Sequence, residues 1–253
     1  MKIATWNVNS LKVRLAHLLD WLSSAQPDVL CLQELKLEDE KFPHAEIKAA
    51  GYHAVVSGQK TYNGVAILSR DAISDVRLGL DDYVDDQRRV ITATVQGIRV
   101  MCVYCPNGQA LDSDKFVYKL GWFSALQQTL AKELATHTQL AVAGDFNIAP
   151  EDRDVHDPAK WEGQNLVSPQ ERDAFKALIA MGLVDSFRMF EQPEKNYSWW
   201  DYREFAFRRN RGLRIDHILV SDALKPMVQA CVIDKAPRKN ERPSDHTPVV
   251  VTL

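Results

Sequence analysis

With 253 residues, 45% of them hydrophobic, the chain is long enough to bury one sizeable core. Its 31 basic and 34 acidic residues leave a formal charge of −3, which excludes a uniformly basic nucleic-acid binder. A polyanionic partner would need a local basic patch, balanced by acid elsewhere. No apolar run approaches the roughly 20 residues of a membrane span. The start, Met1-Lys2-Ile3-Ala4-Thr5-Trp6-Asn7, has no signal-peptide core, so no membrane association and a cytoplasmic location are expected.

Ile3–Trp6 reads as a short strand. From Ser10 a helix opens, with Leu11, Leu15, Leu18, Leu19 and Leu22 at helical spacing. Pro27-Asp28 ends it, and Val29-Leu30-Cys31-Leu32 is a continuous apolar run, as in a strand covered on both faces. His53–Ser57 and Val65–Ser69 predict two strands around the turn-forming Thr61-Tyr62-Asn63-Gly64. Val90–Val95 and Ile98–Tyr104 flank Gln96-Gly97 as a hairpin. Phe116–His137 is a long amphipathic helix, and Gln139–Phe146 another buried strand. Ser168-Pro169-Gln170-Glu171 combines an N-cap serine, a first-turn proline and a glutamate at the third position. Its helix runs to Met181, where Gly182 ends it. Tyr197–Trp200, Ile215–Val220, Val228–Ile233 and Pro248–Leu253 complete the predicted strands.

Strands outnumber helices, hairpins dominate, and no linker divides residues 1–253, so a single domain is expected. Its architecture is an α/β sandwich of two mixed or largely antiparallel sheets packed face to face, with helices outside. Ile3-Ala4-Thr5-Trp6-Asn7 and Ala141-Val142-Ala143-Gly144-Asp145-Phe146-Asn147 both end a buried strand in aromatic-Asn, and two facing half-domains would bring those ends together. Cys31, Cys102 and Cys231 sit in apolar strand-like runs and read as buried thiols. Cys102 and Cys105 form a C-x-x-C, but no second ligand pair for zinc accompanies it, and residues three apart on a strand face opposite ways.

The informative polar residues stand where strands end: Asn7 and Asn9, Gln33 and Glu34, Tyr104 and Asn107, Asp145 and Asn147. Asp216 lies inside the apolar Arg214-Ile215-Asp216-His217-Ile218-Leu219, and Asp245-His246 precedes the last strand. Each by itself reads as a cap, a turn or a loop amide. Together they can converge at one rim of a sandwich. Several buried carboxylates need a cation among them, and oxygen ligands favour Mg2+, with Mn2+ as its substitute, over zinc. Glu34 is the leading metal ligand. A hard cation beside a carboxylate–imidazole pair suits phosphate-ester chemistry. No G-x-S-x-G, Walker A loop, G-x-G-x-x-G or H-E-x-x-H offers another mechanism.

Taken together the motifs resemble the exonuclease III and AP endonuclease family, within the endonuclease/exonuclease/phosphatase superfamily. The matching stretches are Thr5-Trp6-Asn7-Val8-Asn9, Leu32-Gln33-Glu34-Leu35-Lys36, Tyr62-Asn63-Gly64-Val65-Ala66, Val103-Tyr104-Cys105-Pro106-Asn107-Gly108, Gly144-Asp145-Phe146-Asn147, Trp200-Asp201-Tyr202-Arg203, Gly212-Leu213-Arg214-Ile215-Asp216 and Ser244-Asp245-His246. They come in the family's order across nearly the whole chain. The resemblance implies a four-layer α/β sandwich and Mg2+-dependent hydrolysis of DNA phosphodiesters, by a monomer acting on duplex DNA at abasic sites or 3′ ends. It implies Glu34, Asn7 and Asp245 as metal ligands. It implies His246, oriented by Asp216, facing the scissile phosphate, with Asp145 activating water or handling the leaving-group proton. Tyr104 and Asn147 would be transition-state donors. Lys36, Asn63, Asn107, Leu166, Trp199, Arg203, Arg211 and Leu213 would line the DNA-binding face.

Arg203, Arg208, Arg209, Arg211 and Arg214 are interleaved with Trp199, Trp200, Tyr202, Phe205 and Phe207, a mixture suited to phosphate contact and stacking. Lys36, Lys60, Arg88 and Arg89 would extend that patch. One position departs from the family pattern: Leu166, two before Ser168, stands where AP endonucleases of this family often carry a small residue. Its bulk is expected to hinder cleavage at internal abasic sites and to spare 3′ ends. Two rival readings remain at this level: a phosphodiesterase of the same superfamily acting on RNA or another phosphate ester, and a catalytically silent nucleic-acid-binding module.

Overall fold

The computed structural model describes residues 1–253. Its strands are β1 (Lys2–Asn7), β2 (Val29–Gln33), β3 (His53–Ser57), β4 (Val65–Ser69), β5 (Ser74–Leu78), β6 (Val90–Val95), β7 (Ile98–Tyr104), β8 (Leu140–Asp145), β9 (Leu183–Asp185), β10 (Asp216–Ser221), β11 (Ala230–Ile233) and β12 (Val249–Thr252). The helices are α1 (Leu11–Ala25), α2 (His44–Ala49), α3 (Asp114–Thr136), α4 (Pro158–Trp161) and α5 (Pro169–Ile179). One six-stranded sheet runs β11-β12-β1-β2-β4-β3, the other β5-β6-β7-β8-β10-β9. Both are mixed: β1 and β2 are parallel, as are β7 and β8, and the remaining pairs are antiparallel.

Period-two alternation builds the layers. Ile3, Cys31 and Ile67 face Val100, Cys102, Ala143 and Ile218 in the core between the sheets. Their neighbours Ala4, Trp6, Leu30 and Leu32 turn outward onto Leu11, Leu18 and Leu22 of α1. On the other side, Met101, Val103 and Val142 pack on Trp122 and Leu126 of α3 and Phe175 of α5. The result is the expected four-layer α/β sandwich. Gly144 serves the closest approach: a Cβ there would stand 1.9 Å from the Val103 carbonyl oxygen. No helix is long and apolar enough to cross a membrane. The four cysteines are buried and free, and Cys102 and Cys105 fall in different core clusters on opposite faces.

One local expectation is corrected, two strands were not anticipated, and one helix start lacks the side-chain cap of another. Tyr197–Trp200 is not a strand: Trp199 makes only isolated bridges, to Leu213 and His246. β5 and β9 escape the periodicity reading. β5 is an exposed edge strand, Ser-Asp-Val-Arg-Leu, and β9 is only three residues long. At Ser10 the helix does begin, but Ser10 has φ 87° and its side chain makes no cap hydrogen bond. Ser168, by contrast, forms the expected capping box with Glu171.

Candidate active site

The alternation that builds the core also sets the site. Asn7 continues the inner face begun by Ile3, Gln33 that of Cys31, Tyr104 that of Cys102, and Asp145 that of Ala143. Asp216 lies on the inner face of Ile218. Register aligns these ends: Asn7 is opposite Gln33, and Asp145 is opposite both Tyr104 and Asp216. The two sheets meet where the Asn7 amide donates to Asp145 Oδ2 at 3.0 Å and to Glu34 Oε1 at 2.9 Å.

Asp145, Asp216 and His246 are buried. His246 Nδ1 lies 2.9 Å from Asp216 Oδ2 and 3.1 Å from Oδ1, while Nε2 is 3.7 Å from Asp145 Oδ2. Burial alone would strip the proton from His246, but the charges of Asp216 and Asp145 prevail and raise its pKa to about 10. Burial raises the Asp145 carboxyl to about 7, reinforced by the Asp216 charge and opposed by His246, by the Asn7 amide and by the Asn147 N–H. Burial, then the charges of Glu34 and Asp145, hold the Tyr104 phenol well above its usual range, so it stays a neutral hydroxyl. One ligand atom from each of Glu34, Asp145 and His246 lies within 4.8 Å of the others. Two carboxylates at that spacing, one of them kept from ionising freely by burial, are a donor set that a hard cation fits. Lys36 Nζ pairs with Glu34 Oε2 at 2.8 Å, the one cation of the chain on that carboxylate.

Two expected ligands are placed differently. Asp245 stays outside the cluster: Oδ1 accepts from Asn9 Nδ2 at 2.9 Å and Oδ2 from the Trp199 indole at 3.0 Å. Its pKa is lowered although burial opposes this, chiefly by His246 and then by these two donors. Asn7 presents its NH2 to both carboxylates, and its Oδ1 accepts the Asn9 N–H at 2.9 Å. In this geometry it steadies the acids rather than offering oxygen to a metal. Asn147 likewise spends its amide hydrogens locally, 2.9 Å to the Cys105 carbonyl and 3.4 Å to Asp145 Oδ2, and its backbone N–H binds Asp145 Oδ1 at 2.9 Å. Asn107 Nδ2 donates to Asn147 Oδ1 at 3.1 Å.

Grooves open on both sides. One, of about 680 Å³, is lined by Gln59, Tyr62, Asn63, Gln87, Arg89, Tyr104, Asn107 and Lys115. The other, of about 250 Å³, is lined by His156, Trp161, Trp199, Arg203 and Arg211. Arg203 is exposed and carries no strong partner; its nearest carboxylate, Asp201, is 3.4 Å away. Leu213 has no exposed surface, so its expected DNA contact is corrected to a core role beside Trp199. Arg214 is also withdrawn from the basic face: it is buried, 2.8 Å from Asp185 and 2.6 Å from Asp154. Leu166 is nearly buried, packed with Val155, Val167 and Leu213 against Trp199.

Glu34, Lys36, Asn63, Asn147 and Leu166 all hold positive φ, between 50° and 76°. Such backbone is costly for non-glycine residues and persists where surroundings impose it. Sequence reasoning missed Arg14, whose guanidinium reaches Tyr202 Oη and the Pro243 carbonyl, both at 3.1 Å. It also missed Gln87, which accepts from Arg89 and Asn63. Nothing in the local pattern of α1 or of the loop before β6 marks either residue.

A model of the endonuclease/exonuclease/phosphatase family matches residues 4–246. Exodeoxyribonuclease III of Haemophilus influenzae is 37% identical over 262 residues, covering 98% of each chain. The NExo protein of Neisseria, solved as a 3′-5′ exonuclease from Neisseria meningitidis, is 51% identical with a TM-score of 0.98 over 100% of this chain and 99% of that one. NExo has also been solved as a 3′ phosphatase bound to a product DNA hairpin (TM-score 0.97, 51% identity, the same coverage). An AP endonuclease from Archaeoglobus fulgidus is 41% identical with a TM-score of 0.97, again over 100% and 99%. Likeness over the full length, on the motifs that build this rim, makes the chain a member of the endonuclease/exonuclease/phosphatase family, on its exonuclease III and AP endonuclease branch.

Proposed function

We propose that the chain is a Mg2+-dependent DNA repair nuclease that hydrolyses phosphodiesters of duplex DNA at 3′ ends and abasic sites. The observation that carries this reading is the convergence of Glu34, Asp145 and the Asp216–His246 pair from two sheets onto one rim between two grooves. Glu34 would hold the metal, which would supply positive charge for a phosphoryl oxygen when bound. The chain does the rest. His246, kept as an imidazolium by Asp216, donates through Nε2 to a phosphate oxygen. Asp145, whose Oδ2 lies 3.7 Å from His246 Nε2, accepts the proton of an attacking water. Tyr104 donates a hydroxyl that remains protonated. Asn7 and Asn147 orient Asp145, and Asp245 fixes Trp199 and Asn9 at the rim. Lys36, Asn63, Asn107, Trp199, Arg203 and Arg211 line the path of the strand.

The test is an end-labelled duplex carrying one internal abasic analogue and a recessed 3′ end. Cleavage is expected with Mg2+ and lost in EDTA, and Glu34→Ala is expected to lower kcat by roughly 10²–10³-fold. A folded wild-type protein that cleaves at neither position overturns the proposal.

Leu166 sets the balance between the two activities in this reading. Its φ of 76° is costly for leucine and free for glycine, so Leu166→Gly trades lost packing against relieved backbone. The ratio of abasic-site incision to 3′-end trimming is expected to rise about tenfold or more. An unchanged ratio removes Leu166 from the specificity account.

A further inference from the structure

Behind the rim lies a buried ion pair that none of the roles above uses. Lys119 of α3 and Glu171 of α5 are both fully buried and in direct contact. The ammonium has three hydrogens and three acceptors: Glu171 Oε1, the Asn147 carbonyl at 2.7 Å and the Asn107 carbonyl at 3.0 Å. Glu171 in turn accepts the Leu166 N–H at 3.0 Å, the Ser168 N–H at 3.0 Å and the Ser168 hydroxyl at 2.6 Å. On the outer side, Asn165 Nδ2 reaches Asn107 Oδ1 at 3.0 Å. Gly108 lets this happen, since a Cβ there would meet Asn165 Oδ1 at 2.8 Å and Lys119 Cδ at 3.0 Å. One buried pair thus grips three rim segments: the loop after β7, the loop after β8 and the segment before α5.

Stability alone explains this arrangement poorly. A buried pair contributes little net stability compared with apolar residues of the same volume. What it does supply is fixed position for main-chain atoms that have no strand or helix to hold them. Asn147 sits at φ 50° and Leu166 at φ 76°, outside regular structure. Asn147 is the residue whose backbone N–H and amide aim Asp145.

We propose that Lys119 and Glu171 are positioning residues for hydrolysis, acting through Asn147 and Asn107 on the orientation of Asp145. The inference rests on the nuclease reading above. Its test compares wild type with Lys119→Met/Glu171→Gln, which removes both charges at similar volume, and with Lys119→Arg, which keeps the charge but not the three-way geometry. Each is measured on the recessed 3′ end for kcat and KM, with and without Asn147→Ala.

The double substitution is expected to lower kcat about tenfold or more with KM changed less than about threefold. Lys119→Arg should fall between it and wild type. In the Asn147→Ala background, which removes the side-chain contact to Asp145 but keeps the Asn147 carbonyl and N–H, the same substitutions should still lower kcat, by less than in the wild type. Unchanged kcat or a loss confined to KM would each overturn the inference. Should the neutral pair fail to fold, Lys119→Arg carries the same test. Inactivity of the wild type would instead refute the nuclease reading itself.

Discussion

Asp145→Asn is expected to lower kcat by roughly 10³-fold or more and, without metal, to make the folded chain more stable at neutral pH. Both effects have one source. Burial, then the Asp216 charge, raises the Asp145 carboxyl to about 7 from an ordinary value of 3.8. A folded-state pKa above the unfolded one gives stability that is fully present below the unfolded value. That stability is lost as pH rises through the folded value. The metal-free wild type should therefore lose stability between pH 4 and pH 7–8, and asparagine, which cannot ionise, should not. His246 adds its own loss of stability above about 6.5, where the unfolded ring gives up its proton, so the effect of Asp145 is read from the difference between variant and wild type at pH 5 and at pH 8. Thermal melts in EDTA at pH 5 and pH 8 read the effect. The variant should gain a few degrees on the wild type at pH 8, at about 2–4 °C per kcal/mol for a chain of this size. A variant that loses stability equally at both pH values would show that Asp145 is held as a satisfied carboxylate.

Asp216→Asn should act through the imidazole. Burial disfavours the His246 cation, and the Asp216 charge is the largest influence that overcomes it. Without it, the pKa should fall from about 10 to the ordinary range near 6.5 or below. The sign of the pH dependence is the same as for Asp145, because both folded-state values are raised, but the His246 window lies at higher pH. The raised His246 pKa stabilises the fold below about 6.5, and that contribution is lost as pH rises from there through about 10. Asp216→Asn removes that stabilisation and the cation together at pH 8. Turnover should drop roughly 10²–10⁴-fold there and recover partly toward pH 6. An NMR titration of the His246 ring in EDTA tests the cause separately from activity. A ring that still titrates near 10 would assign its support to other groups.

Much of this was legible along the chain. Apolar runs bounded by the turn-forming Thr61-Tyr62-Asn63-Gly64 and Gln96-Gly97 placed β3, β4, β6 and β7 at their observed bounds. Position in the chain placed Asn7, Tyr104 and Asp145 at strand ends and Asp216 inside an apolar strand, and the structure shows all four on the core-facing side. Polar groups on a core face at a strand end are costly unless they meet partners. The motif Ser244-Asp245-His246 before β12 and the echo between β1 and β8 carried the same message.

Tertiary structure decided what each of those groups touches. Asn7 and Asp145 are 138 residues apart, and their hydrogen bond exists only because two sheets pack with one particular offset. That offset turns Asp245 onto Asn9 and Trp199, away from the cluster of Glu34, Asp145 and His246. It also buries Arg214 between Asp154 and Asp185, although its neighbours in sequence, such as Arg211, lie exposed. Lys119 reads as one polar position of an amphipathic helix, and Glu171 as half of a capping box. Only the packing of α3 on α5 joins them behind the rim. Periodicity tells which face a side chain takes, since that depends on neighbours a few residues away. Partners are chosen by contacts between segments far apart, where register and packing act and local pattern does not.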